Sequence, residues 1–188
     1  MLDEITPKSG DGIDTQLERQ GSLKELKIAE EENIQFPSEM LNDFSEDIID
    51  EKNFNLYQEL LKMNLQQKTA LASIANLPTR RMLIQSPNKV IALSVLKNPK
   101  LMENEVLKYA QQRNLIEDVL VAISKHPKWM KNYQIKSTIV TNPKTPLPIA
   151  INFLSHLQDK DLKSLSRDKN ISTILSRAAY QTMRKRSR

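Results

Sequence analysis

From about residue 55 onward, apolar positions recur at spacings of three and four. Leu56/Leu60/Leu61, Leu71/Ile74/Ala75, Val106/Leu107/Ala110, Leu115/Val119/Leu120/Ile123, Ile135/Ile139/Val140 and Ile171/Ile174/Leu175/Ala178 carry the pattern. Such spacing gathers apolar side chains on one face of a helix. The segments rarely exceed a dozen residues, too short to hold a helix alone in water, so they must stack on one another. No strand-turn-strand pattern interrupts them, and no glycine follows Gly21. The pattern predicts an all-α fold.

Proline punctuates the helices. Lys97-Asn98-Pro99-Lys100, Lys125-His126-Pro127-Lys128 and Thr141-Asn142-Pro143-Lys144 repeat one theme, with Ser86-Pro87-Asn88-Lys89 a looser copy. A residue before proline is pushed out of the helical region, so a preceding helix stops there. Asn, Ser or Thr in that place can cap a new helix, with proline at its first position. Aligning Asn98 with Asn142 gives an offset of 44 residues that also superposes Val106–Ala110 on Ala150–Leu154. Aligning Ser86-Pro87 with His126-Pro127 gives 40.

These periods resemble HEAT and armadillo-type units. Thr141-Asn142-Pro143-Lys144-Thr145-Pro146 before an apolar helix also resembles the leucine-rich repeat variant, over roughly residues 65–180. The resemblance implies a right-handed α-solenoid used for binding. With no cysteine in the chain, the Cys-rich cluster domain that accompanies some such proteins has no counterpart.

Charge divides the chain in two. Residues 1–55 carry 15 acidic and 5 basic residues, whereas residues 56–188 carry 8 and 23. Residues 1–54 therefore read as an acidic, mostly disordered tail and 55–188 as a basic helical repeat domain. Within the tail, Phe36, Met40, Leu41, Phe44 and Ile48 set apolar anchors among acids, the composition of a linear motif that folds on a partner. The tail is also placed to fold back on the basic domain as a tethered competitor.

Little in the chain points to catalysis. The helical part lacks a glycine-rich phosphate loop, and the cysteine count excludes thiolate sites. His126 occupies a turn position, and His156 a helix end. Glu103/Glu105, Glu117/Asp118 and Asp159/Asp161 are close in sequence, but neighbours one or two apart on a helix do not face each other. The expectation is no catalytic residue, no metal and no cofactor.

The functional weight falls on the lysines after the turn prolines. Equivalent turns would set Lys100, Lys128 and Lys144 along one edge, with Lys89 beside them and Lys97, Lys125 and Lys131 reinforcing it. Trp129, Tyr133 and Tyr109 interleave with these bases, either as packing groups or as stacking platforms. The leading expectation is a non-catalytic scaffold that binds a protein partner and is regulated by its acidic tail. The alternative is nucleic-acid binding along the basic face, which would fall steeply with salt. No apolar run approaches a membrane span and no signal-peptide pattern is evident, so the expected protein is cytoplasmic, monomeric by default and without a membrane partner.

Overall fold

The computed structural model describes residues 35–42 and 50–187, and every regular element among them is helical. A 3-10 turn, Ser38–Met40, comes first, and another lies at Leu154–His156. Eleven α-helices follow: α1 Asp50–Lys62, α2 Leu65–Ile74, α3 Leu77–Leu83, α4 Lys89–Val95, α5 Glu103–Gln111, α6 Glu117–Lys125, α7 Pro127–Lys131, α8 Tyr133–Thr141, α9 Leu147–Phe153, α10 Asp159–Leu165 and α11 Thr173–Arg186. Helix α1 begins at Asp50, across the boundary expected at residue 54. No described helix is long and apolar enough to cross a membrane.

Asparagine starts many of these helices. Asn64 caps α2 in a reciprocal capping box with Gln67, the two bonds measuring 2.8 and 2.9 Å. Asn76 opens α3, Asn88 opens α4 and Asn132 opens α8, each with its side-chain oxygen accepting a backbone N–H of the first turn. Each oxygen satisfies one of the N–H groups that a helix start leaves without an internal partner.

The turn prolines behave differently from expectation, with one exception. Pro127 does stand at the first position of α7. After Asn98-Pro99 and Asn142-Pro143, however, the next helices wait until Glu103 and Leu147. The Asn98 and Asn142 oxygens accept from the N–H of Lys100 and Lys144, both at 2.9 Å, closing a tight side-chain turn. An Asn oxygen two residues before an amide has the reach for such a turn, which competes with immediate helix entry.

Packing follows chain order. Helix α2 lies on α3 and α4, α4 on α6, α6 on α5, α7 and α8, α5 on α8, α8 on α9, and α9 and α10 on α11. One hydrophobic cluster runs from Met40 through Leu71, Ala92, Val106, Leu120 and Ile135 to Ile139. A second runs from Val140 through Leu154 and Leu162 to Ala179. Helix α8 thus feeds both clusters from adjacent residues. Helices α4 and α8 start 44 residues apart, as do α5 and α9, the offset that relates Asn98 to Asn142.

Candidate functional site

Three asparagines reach across from one unit to the end of another. Asn98 donates its Nδ2 to the carbonyls of Ala72 and Ala75, at 3.0 and 3.1 Å, at the C-terminal end of α2. Asn142 donates to the carbonyls of Ala110 and Gln112, at 2.7 and 2.8 Å, at the end of α5. A helix end leaves its last carbonyls without internal donors, so a buried Asn there replaces the lost bonds. Asn76 performs the same act on the segment before α1, donating to the carbonyls of Glu39 and Asn42, both at 2.7 Å.

That segment is the one whose composition suggested a partner-binding motif. Met40 is fully buried in the first cluster, and Phe36 and Leu41 are half-buried against it. The Asn76 N–H donates to the Met40 carbonyl at 2.8 Å, and Lys100 Nζ donates to the Leu41 carbonyl at 3.2 Å. Four successive carbonyls, from Glu39 to Asn42, are therefore held by the helical domain. Phe44 and Ile48 lie outside the described residues.

The lysines expected to share one edge have exposed side chains, and two of them already bond within the chain. Lys97, Lys100, Lys125, Lys128, Lys131 and Lys144 are exposed. Lys100 and Lys144 leave turns of identical hydrogen bonding. Lys89 is engaged in an ion pair of 2.5 Å with Asp118, joining α4 to α6. Trp129 is only 6% exposed and stacks on His126 at a ring separation of 3.8 Å. Tyr109 is buried, and the half-buried Tyr133 donates its hydroxyl to Asp161 and accepts from the Gln158 N–H. All three aromatics interleaved with the bases thus take part in packing or internal bonding.

The Arg80–Glu105–Tyr109 network went unseen in the sequence. Arg80 and Glu105 are 3% and 6% exposed, and they form a two-pronged pair with Nε–Oε1 at 2.9 Å and Nη2–Oε2 at 2.8 Å. Arg80 Nη1 donates to the Ala75 carbonyl at 2.7 Å, and the Tyr109 hydroxyl donates to Glu105 Oε1. Burial, then the bond to Glu105 and its negative charge, push the Tyr109 hydroxyl well above the ordinary phenol range. Burial, followed by the bond to Asp161, also raises Tyr133. Arg80 thereby ties α3 to α5 and to the end of α2. The overlooked signal is Glu105 itself, which shares the buried stripe of α5 with Val106, Tyr109 and Ala110. An acid in such a stripe requires a buried partner.

The described residues contain no group of three or more His, Asp or Glu side chains arranged to hold a metal. No protein-family model, curated protein or solved structure matches the chain.

Proposed function

We propose that this chain is a non-catalytic protein-interaction module, a right-handed α-solenoid of the HEAT-like or leucine-rich-repeat-variant kind whose lysine edge holds an acidic surface on a protein partner. One observation carries the reading. Asn98 and Asn142 occupy matching places 44 residues apart, each bonding forward to a lysine N–H and backward to two carbonyls of an earlier helix. Lys100 and Lys144 are thus presented by equivalent turns, as repetition of one unit requires. The surplus of 23 bases over 8 acids in residues 56–188 exceeds what solubility needs and favours an acidic partner.

The test is affinity capture with the full-length chain after nuclease digestion, run beside a Lys128→Glu/Lys144→Glu variant. A nuclease-resistant protein, held by the wild type and released by the variant, supports the proposal. Capture that disappears on nuclease treatment assigns the edge to nucleic acid, and equal capture by both chains removes the edge as the site.

A further inference from the structure

We propose that the surface holding Phe36–Asn42 is a binding site for a helix C-terminal turn of a protein partner, and that this chain's own segment is an internal ligand occupying it. The inference rests on the reading of the chain as a binding module and names the structural class its partner presents.

Among the described residues, the hydrogen bonds that the domain makes to the segment go to backbone carbonyls: Glu39 and Asn42 through Asn76 Nδ2, Met40 through Asn76 N–H, and Leu41 through Lys100 Nζ. Backbone carbonyls are common to every sequence, so these contacts select a shape. The shape is a helix end. Asn76 grips carbonyls three residues apart, as Asn98 does on Ala72 and Ala75 at the end of α2. Any helix terminus offers such carbonyls, because its last turn has no further N–H groups to receive.

The described segment is a compact turn. Its single turn closes on itself through Met40 N–H to Pro37, Leu41 N–H to Ser38 and Asn42 N–H to Ser38, at 2.9, 3.2 and 3.0 Å. One side chain, Met40, is fully buried, while Ser38, Glu39 and Asn42 remain exposed. Methionine is unbranched and adaptable, so the slot that takes it accommodates other long apolar side chains. A partner needs only a helix end with one such residue on its inner face. It competes with a tethered segment whose effective concentration is roughly millimolar, so the site favours partners that are abundant or anchored elsewhere, as on the lysine edge.

Hydrogen exchange on the full-length chain tests whether the segment opens by itself. The Asn76 amide, bonded to Met40, should be at least about tenfold less protected than the Ile84 amide, which bonds to Arg80 within α3. Equal protection makes the segment part of the cooperative core and overturns the proposal. The second measurement is binding of a synthetic peptide of residues 34–43 to full-length Met40→Glu chain, in which the internal turn is expelled. The peptide should bind that variant and bind the wild type about tenfold more weakly or worse. Failure to bind a folded variant overturns the proposal, as does loss of cooperative melting in that variant. Lys128 and Lys144 take no part in this site. Peptide binding that survives Lys128→Glu/Lys144→Glu, alongside unaltered partner capture, shows that only the lysine-edge reading has failed.

Discussion

Replacing Arg80 by alanine should be among the most damaging single changes in the chain. The guanidinium is 3% exposed and supplies two bonds to a carboxylate that is itself 6% exposed. Its removal leaves Glu105 with the Tyr109 hydroxyl, and the Ala75 carbonyl with Asn98 alone. Breaking a buried pair from one side costs about 3–5 kcal/mol, because the remaining charge stays desolvated. A domain of this size is stable by about 5–15 kcal/mol, so Arg80→Ala brings it close to unfolding. At a urea slope of about 2 kcal/mol/M, the midpoint should fall by about 2 M, read by far-UV circular dichroism. The companion is the triple variant Arg80→Met/Glu105→Met/Tyr109→Phe, which replaces all three of these polar side chains. It should recover most of the loss, since apolar replacement of a whole buried pair is often neutral. A midpoint shift below about 0.5 M for Arg80→Ala, or a triple variant as weak as the single, would refute the view that unpaired charge is the dominant cost.

Tyr109→Phe should change the alkaline limb of stability. The unfolded Tyr109 loses its proton near the ordinary value of 10.0, whereas the folded hydroxyl keeps it. Above that pH the unfolded chain binds fewer protons than the folded one, so the Tyr109 contribution is present below about pH 10 and is lost as pH rises. The wild-type advantage over Tyr109→Phe should shrink by about 1.4 kcal/mol per pH unit there, and parallel denaturation midpoints from about pH 9 to about pH 11 would contradict it. Asn142→Ala should cost about 2–3 kcal/mol in urea melts, and Asn98→Ala less, because Arg80 still bonds the Ala75 carbonyl when Asn98 is gone. The reverse order would show that these asparagines do not act chiefly through helix-end carbonyls.

The all-helical character was legible because it depends on periodicity, a property of the chain read locally. The 44-residue offset was legible for the same reason, since Asn-Pro-Lys recurs intact. What the asparagines do was half legible. Their oxygens were read as caps, but an Asn also carries two donors, and those reach carbonyls 23–32 residues earlier, at Ala72, Ala75, Ala110 and Gln112. No local pattern encodes such a bond. Nothing local to Arg80, next to Arg81, marks it as buried, and only the packing of α3 near α5 brings Glu105 to it. Trp129 illustrates the ambiguity of a single aromatic among lysines. The sequence allowed stacking or packing, and the His126 ring beside it is what the structure supplies.

The tail raises the question of which force brings it to the helical domain. Opposite charge predicts an electrostatic return, with acids of the tail on the lysine edge. The contacts that hold Phe36–Asn42 are of another kind: a buried methionine and donors aimed at carbonyls, with Glu39 contributing its backbone rather than its carboxylate. Lys100 takes part, but its acceptor is the Leu41 carbonyl. The two causes separate in salt. Screening shortens the reach of charge from about 10 Å at 0.1 M to about 3 Å at 1 M, while apolar burial is not weakened. Protection of the Asn76 amide should therefore hold within about twofold across that range, because neither its own bond nor the Met40 slot relies on net charge. A fall of tenfold or more would show that the acids of residues 1–55 supply the docking force, and the carbonyl contacts would then be a consequence of docking instead of its cause.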